Sequence, residues 1–152
     1  MSEGGRIESI HIAGTTGGPV RAVAAVEALP GIGLAGDRDH RQDGEDKPGR
    51  DLTLIEAENI EYLARDHGIV LAPGESRRNV TTRGVRLNEL VGKEFWIGEV
   101  LARGVKLCEP CEYLQELVGK PILKPLVHRA GIRADVLSGG RIGIGDPIRV
   151  KP

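Results

Sequence analysis

Glycine and proline interrupt this chain so often that long regular elements have little room. Twenty-two of the 152 residues are glycine and nine are proline, scattered without a repeat. Spacing of that kind reads as turns between short segments, not as low complexity. A length of 152 residues suits one domain, residues 1–152, and is short for two. Apolar residues make up 39% and aromatic ones 3%, so one core can form, built from Ile, Leu, Val and Ala.

The apolar pattern predicts where the short segments fall. Residues 6–12 alternate, with Ile7, Ile10 and Ile12 marking a strand, and residues 14–19 form a turn cluster. Residues 20–29 read as a second extended run, ended by Pro30, Gly31 and Gly33. The polar stretch 36–50 is a long loop, of the kind that is functional or disordered in a compact domain. A short strand at 51–55 precedes the clearest helix, 56–67. There Ile60, Leu63 and Ala64 recur at helical spacing, and Gly68 supplies the stop. Strands are expected at 95–97 and 100–107. A short helix is expected from Pro110 to Leu117, since proline is tolerated at a first helical position, and a further helical turn at 121–127. The tail 132–150 consists of short apolar pieces broken by four glycines, Gly139, Gly140, Gly143 and Gly145. The sum is a mainly β (α+β) fold, a small barrel or bent sheet with a few short helices.

The formal charge of −1 removes a global electrostatic case for nucleic acid; anion binding would need local clusters of arginine. No apolar run approaches the roughly 20 residues of a membrane helix, and no secretory segment follows Met1. The expectation is a cytoplasmic protein without a membrane or nucleic-acid partner, its two cysteines kept as thiols.

Four groups of residues could carry chemistry. In Cys108-Glu109-Pro110-Cys111, Cys111 falls in the first turn of the expected helix. Unpaired N–H groups there favour a negatively charged sulfur, the form that is nucleophilic and binds metals. Cys108 would be a resolving partner; alternatively both are small buried hydrophobes. A single C-x-x-C is weak support for zinc, and no βαβ unit surrounds it as a thioredoxin-like site would want. A thiol-redox role for Cys108 and Cys111 alone remains a third option.

The segment between Ser76 and Asn88 carries Arg77, Arg78, Arg83 and Arg86 and no acid. Arginine captures phosphate bidentately, and Asn79 adds a neutral donor. On an extended chain Arg77, Asn79 and Thr81 share one face, and Arg78, Val80 and Thr82 the other. The two adjacent arginines are therefore not expected to face the same ligand. A solvated strand edge is the alternative. His128, Arg129 and Arg133 flank Gly131, which would let backbone approach a ligand; a surface turn with a capping histidine would look the same. In the long loop Asp37, Asp39 and His40 could bind metal, but a self-paired loop is favoured.

Taken in order, these segments resemble the MOSC domain, named for the C-terminal domain of molybdenum cofactor sulfurases. The strings that carry the resemblance are GLAGDRDH (33–40), DLTLIEAENIEYL (51–63), LAPGESRRNVTTRGVRLNELVGKEFWIG (71–98), LCEPCEYL (107–114), LVHRAGIRADVLSGG (126–140) and IGIGDPIRV (142–150). They span nearly the whole chain. The resemblance implies a strongly bent β-barrel. It implies binding of the molybdenum cofactor (molybdopterin), for sulfur transfer or for reduction of N-hydroxylated compounds, and carries a family association with pyridoxal phosphate. It places Cys111 as sulfur acceptor or molybdenum ligand and Cys108 as a second thiol of short members. Arg77, Arg78, Asn79, Arg83, His128, Arg129 and Arg133 are the expected cofactor-binding residues. The extra β-barrel domain, the pyridoxal-phosphate desulfurase region and the ferredoxin-type or flavin modules of larger members have no counterpart in these strings. The expected partner is thus a cofactor donor, a desulfurase or an electron-transfer protein. A non-catalytic carrier of molybdopterin, or of another phosphate-bearing ligand, is the alternative.

Overall fold

Alternation at 6–12 and at 95–107 folds as strands in the computed structural model, which describes residues 4–37 and 48–152. In chain order the elements are β1 (Gly5–Ala13), β2 (Val20–Val23), β3 (Ala25–Leu29), β4 (Gly33–Leu34), β5 (Leu52–Glu56), α1 (Ala57–His67), β6 (Val80–Arg83), a 3₁₀ turn (Leu87–Leu90), β7 (Glu94–Ile97), β8 (Val100–Leu107), α2 (Glu112–Val118), β9 (Ile132–Ser138), β10 (Gly140–Gly143) and β11 (Pro147–Val150).

Seven strands close on themselves in the order β1-β11-β7-β8-β9-β5-β6 and back to β1, forming a barrel. Closure leaves the barrel strands without a free edge. The β5–β6 pair is parallel and every other barrel pair is antiparallel. A parallel pair needs a crossover, and α1 is that crossover. The bend is built from irregular register. β1 shifts between Ile7 and Ser9, and the β8–β9 ladder shifts on either side of Arg103; such bulges kink and twist a strand. β2 continues from β1 outside the closed ring, and β10, β3 and β4 make a separate small sheet.

The barrel interior is aliphatic, as the composition requires. Ile7, Ile10, Leu54, Val80, Leu87 and Ile132 are fully enclosed, and Phe95 is the single aromatic among them. A second cluster of Leu63, Leu71, Leu114, Ile122, Leu126 and Ala130 joins α1 to α2. This satellite cluster fixes α2, and with it Cys111, against the barrel.

Three expectations change in detail. The run 20–29 is two strands, not one: the chain bends at Ala24, so that β2 pairs with β1 while β3 pairs with β10. Apolar residues at 20, 23 and 26 do not match the period of two that one half-buried strand demands. Residues 121–127 form turns, with one helix-like bond from Leu126 N–H to the Ile122 carbonyl. Helix α2 starts at Glu112, with Cys111 as its N-cap.

Candidate functional site

Four consecutive barrel strands, β8, β9, β5 and β6, carry or adjoin the residues that matter. The segment leading into β6 is shaped by turns. Glu75 N–H bonds to the Ala72 carbonyl and Arg77 N–H to the Gly74 carbonyl. Gly74 lies on the buried ring of His11, where a Cβ would overlap it. Arg77 then adopts a left-handed conformation (φ 62°), rare for a side chain of its size. This kink breaks the extended alternation, and Arg77 and Arg78 both line one cavity.

Arg78 is only 8% exposed. Its Nε donates to the Ala130 carbonyl and its Nη2 to the Cys108 carbonyl, both at 2.8 Å. One guanidinium thus ties the loop before Cys111 to the loop before β9. Arg77 donates from Nη2 to the Gly18 carbonyl at 2.8 Å, fixing the β1–β2 turn. Arg133 is half-buried on β9. Arg50 precedes β5 and is held between two anchored neighbours. Gly49 N–H donates to Asp135 Oδ1, and buried Asp51 accepts from Gly31 N–H and Val136 N–H.

The cavity has a volume of about 310 Å³. Arg50, Arg77, Arg78, Arg133 and Cys111 line it, together with Thr16, Gly17, Tyr113, Leu114 and Leu117. Among the described residues that line it, none is acidic. Cys111 is exposed, and its Sγ accepts from Leu114 N–H at 3.4 Å as the cap of α2. Four arginines and one thiol line this single cavity, a donor set whose chemistry suits an anion and a soft metal.

Of the residues singled out from sequence, Arg77, Arg78, Arg133 and Cys111 meet here. The others do not line this cavity. Cys108 is 3% exposed and its N–H bonds to the Gly131 carbonyl. Asn79 is a brace: its carboxamide oxygen accepts from Thr53 N–H and Oγ1, and its nitrogen donates to the His11 carbonyl. Arg83 faces outward between Glu61 and Glu8. The hydrogen bonds it donates, first to Glu61 and then to Glu8, raise its pKa, and the bond to Glu61 lowers that of the carboxylate. His128, at φ 63°, is exposed and clamped to Glu109 through its backbone N–H and Nδ1. Arg129 stacks over the Tyr62 ring at 3.8 Å. Asp39 and His40 lie outside the described residues, and Asp37 accepts from Ala13 N–H. Among the described residues no group of three or more His, Cys, Asp or Glu could hold a metal ion. Nor is any helix among them long and apolar enough to cross a membrane.

Sequence reasoning missed Arg50, Thr16, Gly17, Tyr113, Leu114 and Leu117 as site residues. Arg50 ends the long loop, which its length had marked as functional or disordered. The others carry no charge or thiol that would single them out, and they join the cavity only through tertiary placement.

The MOSC domain profile matches residues 39–149. The chain belongs to the MOSC family. All four arginines and Cys111 fall inside the matched span, whereas Thr16 and Gly17 precede it. No curated protein matches the sequence. Solved structures share the MOSC fold at low identity. The YuaD protein from Bacillus subtilis is 18% identical, with a TM-score of 0.82 over 97% of this chain and 96% of that one. YiiM from Geobacillus stearothermophilus is 22% identical, with a TM-score of 0.72 over 97% of this chain and 75% of that one. YiiM from Escherichia coli is 20% identical, at 0.69 over 97% and 70%.

Proposed function

We propose that this MOSC protein binds the molybdenum cofactor in the cavity beside Cys111 and acts there either as a sulfur carrier or as the cofactor-bearing component of a reductase. One observation carries the reading: the convergence of Arg50, Arg77, Arg78 and Arg133 on a cavity that also holds an exposed thiol.

The donor set fits the group. Guanidinium forks match phosphate oxygens in charge and geometry, and a thiolate is a soft ligand suited to molybdenum. A volume of about 310 Å³ lies at the lower end of small-molecule sites. Arg50, Arg77 and Arg133 would hold the anionic groups, while Arg78, with Nε and Nη2 occupied by carbonyls, sets the Cys111 loop. Cys111 would present its sulfur to the metal. When bound, the cofactor supplies two-electron redox chemistry at that metal. As a sulfur carrier, the Cys111 thiolate attacks the outer sulfur of a donor persulfide and displaces the donor's thiolate. A partner protein is needed in either case, to bring sulfur or electrons.

A second reading is a non-catalytic carrier in which the cysteines are incidental. The bond from Leu114 N–H to Cys111 Sγ favours it, because it gives that sulfur a structural task. Protein from cofactor-replete cells, assayed for molybdenum and pterin, tests both. Cys111→Ser should lose most of its molybdenum under the ligand role and retain it under the carrier role. Arg133→Ala should lose pterin and metal under both. Wild-type protein without either, even after incubation with cofactor, would end the reading.

A further inference from the structure

We propose that Cys111, without Cys108, exchanges with small disulfides that carry negative charge and retains one half of them as a mixed disulfide in the arginine-lined cavity. The inference rests on the anion-site reading above but not on molybdenum, and it names a substrate class for the thiol itself.

The two cysteines of the C-x-x-C segment differ in access. Cys111 is exposed and lines the cavity, with its Sγ fixed by Leu114 N–H. Cys108 is buried and does not line it. Both backbone polar groups of Cys108 are tied. Its N–H donates to the Gly131 carbonyl and its carbonyl accepts from Arg78 Nη2, each at 2.8 Å. Swinging Cys108 outward toward Cys111 would break a charge-assisted bond to a buried arginine, among the stronger bonds a protein makes. The segment therefore offers one accessible thiol and one fixed thiol.

Charge selects the reagent. Arg50, Arg77, Arg78 and Arg133 line the cavity with Cys111, and among the described lining residues none is acidic. The acids beside Cys111 in sequence point elsewhere. Both carboxylate oxygens of Glu109 are bonded to His128, and exposed Glu112 on α2 does not line the cavity. A cleft lined by one sign of charge concentrates reagents of the opposite sign, and guanidinium forks then hold a carboxylate or phosphate. In the exchange Cys111 gives its proton to solvent and its sulfur attacks one sulfur of the disulfide. The new S–S bond forms as the old one breaks, and the other half leaves as a thiolate with the electron pair. With Cys108 fixed, release of the retained half falls to an external thiol.

Stopped-flow rates with dithiobis(nitrobenzoate), a dianion, and dithiodipyridine, which is neutral, test the proposal. Each rate is divided by that of 2-mercaptoethanol with the same reagent at the same pH, which removes the reagents' intrinsic reactivity. At low salt the wild type should favour the dianion at least about tenfold on this scale. The preference should fall several-fold when salt screens the arginines, and several-fold in Arg133→Ala, with Arg50→Ala serving if that variant folds poorly. One nitrothiobenzoate should be released per molecule, and mass spectrometry should find the other half on the protein. Cys108→Ala should match the wild type and Cys111→Ser should not react. A preference near one in protein that still binds inorganic phosphate overturns the proposal and leaves the anion site standing. A preference near one in protein that binds no phosphate overturns both. Release of a second equivalent, with a Cys108–Cys111 disulfide formed, also overturns the proposal. A Cys111 that reacts with neither reagent overturns it together with the sulfur-carrier role, and leaves the metal-ligand role to the molybdenum assay.

Discussion

Arg78 shows how a buried charge can be positional. Its fork spans two carbonyls, Ala130 and Cys108, on loops brought together only by the fold. Lysine keeps the charge but offers no planar fork for two divergent carbonyls. Losing one charge-assisted bond in a buried site costs about 2 kcal/mol. Arg78→Lys should therefore lower the unfolding free energy by about that amount in urea titrations, and should also weaken phosphate binding by loosening the Cys111 loop. His11 makes a second case at the same scale. It is 4% exposed, and its Nδ1 has no hydrogen-bond partner. Burial pushes its pKa below the ordinary value of 6.5. The unfolded chain therefore takes up a proton near pH 6.5 that the folded chain refuses. The contribution of His11 to stability is present above pH 6.5 and is lost as pH falls below it toward the depressed folded value. Urea titrations at pH 7.5 and 5.0 should show the wild type weaker at the lower pH. His11→Asn should show a smaller difference between the two.

At the scale of elements, what periodicity could reveal was largely legible. The 6–12 alternation lies within β1, the 56–67 pattern gives α1 with its Gly68 stop, and 95–107 gives β7 and β8. The break at Ala24 and the turns at 121–127 were not, because each depends on a partner distant in sequence: Ala24 accepts from Ile144 N–H, and Ile122 joins the cluster under α2. Junctions between elements were equally hidden. Gly131 joins the His128 loop to β9 at φ 103°, and a Cβ there would overlap the Leu54 carbonyl oxygen on β5. Its own carbonyl receives Cys108 N–H. The sequence suggests only that this glycine permits a close approach; the structure shows the approaching group to be a barrel strand. Gly131→Ala should destabilise the protein by about 3 kcal/mol, from a disfavoured dihedral and a backbone clash together. Thermal unfolding measures the loss. A shift in melting temperature below about 2 °C, in a domain where each kcal/mol moves it by several degrees, would mean that β5 and β9 can part without cost.

The whole molecule decides what neither scale could. Arg50, Arg77, Arg78, Arg133 and Cys111 belong to four segments spread over more than half the chain, and barrel closure sets those segments side by side. Arg77 and Arg78 were separable on an extended strand; the left-handed turn at Arg77 is a backbone fact that no residue pattern discloses. The same arrangement puts a local positive field on a molecule whose formal net charge is −1. Attraction at long range is therefore weak, and the proposed anion binding would have to draw on the cavity and its mouth. Screening bears on such a field directly: raising ionic strength from about 20 mM to about 200 mM shortens the Debye length roughly threefold, to about 7 Å. Affinity for inorganic phosphate should fall about fivefold over that range, with sodium chloride as the salt. The drop should shrink in Arg133→Ala, because one of the four charges that generate the field is gone. Folding should hardly respond, since the core is aliphatic and its bonds are internal. A wild type whose phosphate affinity ignores salt, or an Arg133→Ala variant with the full wild-type salt dependence, would show that the guanidinium groups do not act together on one anion.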